Sequence, residues 1–410
     1  MTSAAAVAER AARESYGKLV AFLAARTRDL AAAEDALADA FAAALRAWPD
    51  TGIPDNPEAW LFAAARRRLI DGARRAQTAT AHAQEQKALM VEMGDDEEPV
   101  IDRRLGLLFA CAHPAIDVSV RTPLMLQTVL GFSAERIAAA FLAEPTAMGQ
   151  RLVRAKRKIK DAGIPFDVPN PDEWPERLSA VLDAVYAAYS EGWSDPTGID
   201  ATRADLAQEG LWLSEVLVAT LPEEPEALGL RALVLHLAAR RRARRDATGA
   251  YVPLDAQDPA LWDDALIRDA EALLFRAVRA GRMGRYQLEA AIQSAHAARA
   301  VRGSVDWNAV VMLYDALLAE TGSAVVALNR AAALARRDGP RAGLEAIAAL
   351  AARLSEYQPY WALKAALHAE AGEKLAATAA YDEAIARERD PAVIGFLAQK
   401  KAALRNVEPG

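Results

Sequence analysis

The sequence predicts an all-helical protein made of two small helical domains followed by an α-solenoid. The chain of 410 residues is rich in Ala, Leu, Arg and Glu, which are strong helix formers, and has few β-branched runs. Apolar residues recur three and four positions apart over most of its length, and Gly and Pro separate these stretches. The length is sufficient for several hydrophobic cores, so we expect more than one domain.

The composition also limits the class of protein. A single cysteine, Cys111, excludes an internal disulfide framework. No apolar run approaches the ~18 residues that a membrane-spanning helix needs. The first residues, MTSAAAVAERAARESYGK, lack the cationic start and apolar core of a secretion signal. We therefore expect a cytoplasmic protein with no membrane partner.

Charge is distributed unevenly along the chain. Residues 1–169 contain 22 basic and 22 acidic residues, so the net charge of −7 arises entirely from the remainder. A neutral front with concentrated basic helices and an acidic back is typical of a DNA-binding module joined to a protein-binding module.

Two amphipathic helices are predicted in residues 9–48. The first runs to about Arg28, and the second begins near Ala31. The second helix has apolar residues at helical spacing: Leu37, Phe41, Leu45 and Trp48. Its acidic residues are expected elsewhere on its surface: Glu34, Asp35 and Asp39. The stretch Pro49–Pro57, rich in Pro, Gly and Asn, should end this helix and start another.

The third predicted helix, EAWLFAAARRRLIDGARRA, is strongly basic. From residue 66 onward it carries Arg66, Arg67, Arg68, Arg74 and Arg75 against a lone Asp71. Arginines beside an exposed tryptophan, Trp60, suit contacts to DNA phosphates and stacking on bases. Alternatively, the arginines lie on a solvated helix end and complement the helix dipole.

A polar and then acidic stretch, residues 77–100, is predicted to be the linker that ends a first domain of residues 1–76. Its acidic part is Asp95–Glu98. A helix from Ile101 and a second one, TPLMLQTVL, then begin the next domain, residues 101–165.

The stretch Gly131–Lys160 has the layout of a helix-turn-helix. Ser133 can cap a short first helix, and Pro145 suits the first position of the second. In the second helix one apolar stripe is formed by Met148, Leu152, Ala155 and Ile159. The other faces carry the residues expected to contact DNA: Thr146, Gln150, Arg151, Arg154, Lys156, Arg157 and Lys158. The pattern alone leaves open an ordinary helix pair with a solvated basic face.

After the proline-containing connector Gly163–Pro171, the chain reads as a series of helices separated by Gly and Pro. They are expected near residues 174–190, 201–221, 223–245, 260–280, 285–300, 306–321, 323–337, 340–354, 358–371, 374–388 and 391–405. The insert ATGAYVPLDAQDP should form an ordered loop or a short hairpin. In the helix pair 358–388, residues fall on preferred positions of a tetratricopeptide unit: Trp361, Ala365, Ala377, Tyr381 and Ala384. A tetratricopeptide-like (TPR-like) α-solenoid is therefore predicted for residues 171–410.

With these segments in place, the first 165 residues resemble a sigma factor of the extracytoplasmic-function (ECF) type. AEDALADAFAAALRAW is similar to the polymerase-binding helix of sigma region 2, and NPEAWLFAAARRRLIDGARR to the segment that recognises and melts the −10 element. Residues 131–166 resemble region 4, which reads the −35 element. The extension, with EGW, RADLAQE, RYQLEAAI, DWNAVVMLYDALL and VVALNRAAALA, is similar to the subgroup with a C-terminal tetratricopeptide-like domain.

The resemblance implies partners and roles. The partners are core RNA polymerase, through its β′ and β subunits, and promoter DNA. The residues implied to dock on the β′ coiled coil are Asp35, Asp39, Phe41 and Leu45. Those implied to handle the −10 strand are Asn56, Trp60, Arg66, Arg67 and Arg68, and those on the recognition helix are Gln150, Arg151, Arg154 and Arg157. The acidic linker either threads toward the polymerase active-site cleft or RNA exit path, or is a solvated tether.

The chain departs from the family pattern at two places. Ala147 stands where the family usually has Thr, and the Pro of the turn is displaced by one, giving Glu144-Pro145; this bears on the −35 sequence preference. The run Cys111-Ala112-His113-Pro114 replaces the Cys-Cys-His-Pro of the subgroup, which argues against a metal site built on paired cysteines.

Nothing in the sequence points to catalysis. The five histidines are scattered, and HExxH, P-loop and GxSxG motifs are absent. Cys111 and His113 lack the third orienting group of a nucleophile–base pair. We expect no enzyme activity, cofactor or metal. The leading hypothesis is an initiation subunit whose C-terminal solenoid serves regulation or binds a protein partner. The alternatives are a conventional helix-turn-helix regulator with a helical sensor domain and a TPR-type adaptor.

Overall fold

A computed structural model describes residues 4–76, 103–141, 143–169, 174–193 and 201–404. Within these ranges the regular structure is helical, apart from one isolated antiparallel bridge between Arg245 and Tyr251. The prediction of an all-helical protein is confirmed. The chain divides into two compact units, Met1–Trp193 with Asp205–Gly210, and Ser194–Ala204 with Leu211–Gly410.

The first unit is built from eight helices in its described part. They are α1 (Ala4–Thr27), α2 (Leu30–Thr51), α3 (Pro57–Ala76), α4 (Arg104–Cys111), α5 (Val118–Leu130), α6 (Ala134–Ala140), α7 (Pro145–Asp161) and α8 (Trp174–Trp193). The predicted linker, residues 77–100 with Asp95–Glu98, lies outside the described residues.

Helix α1 is the centre of the first unit, because it packs on α2 and α3 and also on α4 and α5. Two glycines permit its close approach to α5. A Cβ atom added to Gly17 would lie 2.3 Å from the carbonyl oxygen of Val129, so only a hydrogen atom fits there. Gly131 ends α5 with a left-handed φ of 71°, and the ring of Tyr16 lies against its Cα.

Helix α2 begins at a side-chain cap and ends later than predicted. The Asp29 carboxylate accepts a hydrogen bond from the backbone N–H of Ala32 at 3.1 Å. The helix continues through Pro49 to Thr51, where the break was expected at the proline itself. Pro49 stands in the last turn, where its missing N–H removes a single backbone hydrogen bond. Beyond it, the N–H of Gly52 still donates to the carbonyl of Trp48.

Helix α8 packs inside the first unit, against α4 and α5. The hydroxyl of Thr122 donates to the Ala184 carbonyl at 3.3 Å, and the Arg177 guanidinium donates to the Phe109 carbonyl at 3.2 Å. Sequence reasoning assigned this helix to the C-terminal domain of residues 171–410. The proline connector before α8 does mark a turn of the chain, but α8 itself packs back on the core of the first unit.

The second unit is a succession of packed helices. Together with the helix it shares with the first unit, α9 (Ala201–Thr220), its described helices are α10 (Pro225–Ala239), α11 (Asp264–Arg279), α12 (Arg285–Ala297), α13 (Arg299–Arg302), α14 (Trp307–Thr321), α15 (Ala324–Asp338), α16 (Pro340–Ala348), α17 (Gln358–Glu370), α18 (Lys374–Ala386) and α19 (Pro391–Ala403). Each predicted segment contains a helix, although several end earlier, as at Ala239 and Ala348.

Consecutive helices of the second unit bury small and aromatic residues between them. In the pair α17–α18, Ala365, Ala377 and Ala384 are completely buried. The insert before α11 is an ordered loop, with the bridge noted above and two 3-10 turns, Leu254–Ala256 and Pro259–Leu261. None of the helices in the described ranges is both long and apolar enough to cross a membrane.

Candidate nucleic-acid interface

Helix α7 presents four different sides, because successive residues are turned by 100° around a helix. Its inner side is the apolar stripe predicted from the sequence, which is confirmed: the buried residues of the helix are Met148, Leu152, Ala155 and Ile159. The remaining residues divide between a solvent-facing side and two flanks that differ in their surroundings.

The short helix α6 fixes the start of this arrangement. The hydroxyl of Ser133 accepts a hydrogen bond from the backbone N–H of Arg136 at 3.2 Å, so the predicted cap is confirmed. The guanidinium of Arg136 lies 3.7 Å from the centre of the Phe132 ring. Pro145 takes the first position of α7, after the extended residue Glu144.

The solvent-facing side of α7 carries Thr146, Gln150 and Arg157, all exposed. Arg157 lies 3.9 Å from Asp161, and both side chains are mostly in water, so this pair is weak. Thr146 and Gln150 stand in the first two turns, near the positive end of the helix dipole. These three side chains can meet a ligand without rearrangement of the core.

One flank of α7 borders a cleft of about 630 Å³, the "basic cleft", formed with the loop before α5. Four cations line it: Arg121, Arg151, Arg154 and Lys158. Arg154 and Lys158 have no hydrogen-bond or ion-pair partner among the described residues.

A single acid faces these four cations across the cleft. It is Asp117, whose carboxyl pKa is lowered chiefly by hydrogen bonds from Ser119. Arg151 donates to the hydroxyl of the same serine at 2.6 Å. The excess of positive charge suits an anion such as a phosphate.

The other flank of α7 is turned toward α2. Lys156 forms an ion pair with Glu34, and the two side chains are only 13% and 10% exposed. Lys160 forms a second pair with Asp29 at 2.7 Å. Lys156 was predicted to contact DNA with its neighbours, but its ammonium group is bound to a carboxylate from another helix and does not lie on the exposed side.

Glu34 therefore differs from the surface residue that its sequence predicted. It is 8% exposed, and burial raises the pKa of its carboxyl, while Lys156 pulls the pKa the other way. One of its oxygens, Oε1, has no hydrogen-bond partner. The pair joins the two halves of the first unit at the cost of taking two charges out of water.

The predicted polymerase-binding residues lie along α2 beyond this contact. Asp35 and Asp39 are exposed, Leu45 is 49% exposed, and Phe41 is half-buried. Leu45 is thus one of the large apolar side chains that the described part of the chain leaves exposed.

Helix α3 places its basic residues unequally. Arg67 is exposed and without a partner in the described part of the chain, and Arg68 lies 3.8 Å from Asp39 with both side chains largely in water. Arg66 is half-buried. The side chains of Arg74 and Arg75 lie outside the described residues.

Two residues at the start of α3 have structural partners that the sequence did not indicate. Asn56 caps the helix, because its side-chain oxygen accepts from the Ala59 N–H at 3.0 Å. Trp60 is half-buried rather than exposed, and its ring packs edge-on against Trp48 with centres 5.5 Å apart.

Sequence reasoning missed the acids that hold α7, Asp29 and Glu34, and the contribution of Arg121 to the basic cleft. The sequence contains a weak signal for Glu34. It is spaced i, i+7 and i+11 with Phe41 and Leu45, so it shares one stripe of α2 with two apolar residues. Nothing in the sequence pairs that stripe with a helix more than a hundred residues later.

Cys111 has a structural environment. Its thiol is completely buried 3.4 Å from the hydroxyl of Thr128, and burial raises its pKa to about 12, so it stays protonated. In the part of the chain that the structure describes, no three His, Cys, Asp or Glu side chains are grouped to hold a metal ion.

Comparison with known proteins gives four findings. Residues 12–79 match the family Sigma-70 region 2, and residues 177–278 match a family of unknown function, DUF6596. The chain is 40% identical over 368 residues to an uncharacterized protein of Rhizobium meliloti (strain 1021), covering 88% of this chain and 86% of that protein. No solved structure matches.

Proposed function

This chain belongs to the family of the Rhizobium meliloti protein and carries the region 2 of a sigma-70 family factor, and from that premise we propose that it is a sigma factor of the extracytoplasmic-function type. The match to region 2 carries the proposal. Its residues, 12–79, include the predicted polymerase-binding residues of α2 and the predicted −10 residues of α3. Sigma-70 region 2 contacts core RNA polymerase and promoter DNA, and sigma factors direct initiation without making or breaking bonds themselves.

The DNA-reading role of α7 is supported by the separation of its sides. Gln150 and Thr146 would reach base edges of the −35 element in the major groove. Arg151, Arg154, Arg157 and Lys158 would bind the backbone phosphates, which fix the register of the helix but read no sequence. Lys156 has no place in this list, because Glu34 already neutralises it.

The −10 role is assigned to the far part of α3. Arg67 and Arg68, with Arg66, Arg74 and Arg75, would follow the phosphates of the melted strand. Trp60 would present the part of its ring that the contact with Trp48 leaves open. Asn56 would act indirectly, by fixing the first turn of α3.

The polymerase-binding role is assigned to the exposed part of α2. Asp35 and Asp39 would pair with basic residues of the β′ coiled coil, and Leu45 and Phe41 would supply apolar area. An interface of this type depends on a few buried anchors surrounded by polar contacts.

A binding experiment tests this assignment. The double variant Asp39→Ala/Leu45→Ala should bind fluorescently labelled core RNA polymerase at least tenfold more weakly than the parent protein in a titration. Val301→Ala, in the second unit and 91% exposed, is the matched control and should bind normally. Equal affinity of all three proteins would remove α2 as the docking helix.

A conventional helix-turn-helix regulator remains the second candidate, because the outer side of α7 is exposed in the free chain. Tight binding to a duplex in the absence of polymerase, with no affinity for core polymerase, would favour it. For the second unit we propose a role in regulation or in binding a protein partner, supported by its separate core and by its acidic charge.

A further inference from the structure

The second unit contains a cavity of about 310 Å³ whose walls come from four helices and one loop. Alanines and leucines of α15 and α17 form its apolar wall, including Ala332, Ala333 and Leu367. Another part of the wall is aromatic and polar, with Trp307 and Tyr314 of α14. A concave, mainly apolar space of this size with a few converging polar groups is the usual form of a small-molecule site.

Three side chains at this cavity have unused hydrogen-bonding capacity. His296, Tyr314 and Asn329 line it, and none of them has a hydrogen-bond partner among the described residues. Burial raises the pKa of Tyr314 to about 12, so its hydroxyl remains a donor. His296 is uncharged at neutral pH, because burial and then Arg240 lower its pKa to about 4. Each of these groups can therefore donate one hydrogen bond to a ligand.

Charge is distributed unevenly around the cavity. Arg336 lies over the Trp307 ring and 3.2 Å from Asp255, and Arg240 and Arg299 act on His296 from nearby. Arg336 lines the cavity itself, together with Asp255. Arg240 and Arg299 add positive charge near His296, and Asp255 opposes it. Glu370 also lines the cavity, is exposed, and has no ion-pair partner among the described residues. The cavity favours an anionic group near His296 and Arg336 and a cationic group near Glu370.

We propose that this cavity binds a free α-amino acid with an apolar or aromatic side chain. Its carboxylate would accept hydrogen bonds from His296, Tyr314 and the guanidinium of Arg336. Its ammonium group would face Glu370. Its side chain would lie on the alanine and leucine wall. The volume equals that of about ten liquid water molecules, which leaves room for one such amino acid.

Calorimetric titration of the full-length protein tests the proposal with a panel of probes. L-Phenylalanine, L-leucine, L-methionine and L-tryptophan are the amino acids; phenylacetate, which lacks the amine, and phenethylamine, which lacks the carboxylate, are the analogues. At least one amino acid should saturate the protein, and phenylacetate should bind more weakly and phenethylamine weakest of all. Absence of saturation by every amino acid at millimolar concentration, or phenethylamine binding as well as phenylalanine, overturns the proposal.

Two variants separate this site from adventitious binding. Tyr314→Phe and Asn329→Ala each remove a group with no protein partner, so both should fold normally and bind the amino acid about tenfold more weakly. Met312→Ala, on the same helix as Tyr314 but 70% exposed and away from the cavity, should bind like the parent. Unchanged affinity in both cavity variants would contradict the assignment. Since the readout is direct binding, its result does not depend on sigma-factor activity.

Discussion

Gly17 shows how a single residue sets the distance between two helices. It lies where α1 meets α5, and a methyl group there would stand 2.3 Å from a backbone oxygen that cannot move aside as a side chain would. We expect Gly17→Ala to lower the free energy of unfolding by about 3 kcal/mol, the upper end for an overpacked core. Gly72→Ala in α3, where nothing lies within 4 Å, should instead raise it by about 0.5–1 kcal/mol. Calorimetric unfolding of both variants measures the difference, and similar effects would contradict the contact.

His296 makes the stability of the second unit depend on pH. Its pKa is about 4 in the folded protein and near 6.5 when unfolded, so the unfolded chain binds the extra proton between these values. Stability should therefore be complete above pH 6.5 and decline by up to about 3 kcal/mol as the pH falls toward 4.

The variant His296→Phe isolates this dependence from other titrating groups. It should lose less stability than the parent over the same interval, because it has no proton to take up on unfolding. Thermal unfolding followed at intervals from pH 7.5 to 4.5 gives both curves. Parallel curves would show that the histidine is not held neutral in the fold.

At the scale of the element, α7 carries two kinds of cation: some are free to bind a ligand, and others form ion pairs within the protein. Arg154 and Lys158 face the basic cleft without protein partners, whereas Lys156 is paired with Glu34 and Lys160 with Asp29. Of these four cations, Arg154 and Lys158 should release counterions from DNA when the protein binds, and Lys156 and Lys160 should not. The salt dependence of promoter binding should therefore distinguish cations that the sequence makes equivalent.

This division can be measured by anisotropy with the polymerase complex on a labelled promoter fragment at several KCl concentrations. Arg154→Gln should weaken binding and reduce the slope of log K against log salt by about one. The double variant Glu34→Gln/Lys156→Gln, which leaves no unpaired buried charge, should keep the parent slope. A reduced slope in the double variant would place Lys156 on the DNA.

The same helix shows what could be read from sequence and what could not. The stripe Met148, Leu152, Ala155, Ile159 was predicted because periodicity reports which side of a helix is buried. The partner of Lys156 was not, because periodicity carries no information on which distant helix covers a given flank. The prediction that Trp60 is exposed was wrong for the same reason. Its spacing predicts a helix, but its packing on Trp48 depends on how α2 and α3 meet.

At the scale of the molecule, the boundary between the two units falls after α8 and not at the proline connector before it. A change of composition locates a turn, but it does not show whether the next helix returns to the same core. Truncation after residue 169 should therefore expose the faces of α4 and α5 that α8 covers. Truncation after residue 210 keeps that cover.

We expect the 1–169 fragment to aggregate or melt at a markedly lower temperature than the 1–210 fragment. Circular dichroism melting and limited proteolysis of the two fragments provide the comparison. Equal melting temperatures would mean that α8 contributes nothing to the first unit, contrary to its buried hydrogen bonds from Thr122 and Arg177.

The central claim is that this chain directs RNA polymerase to promoters, and run-off transcription tests it most directly. Core RNA polymerase would be supplied with a library of promoter fragments, with and without the full-length protein, and with Arg154→Gln/Lys158→Gln as the matched variant. We predict transcripts from a subset of fragments that require the protein and are strongly reduced with the variant. Absence of any protein-dependent transcript, together with tight duplex binding without polymerase, would contradict the claim and identify a conventional regulator.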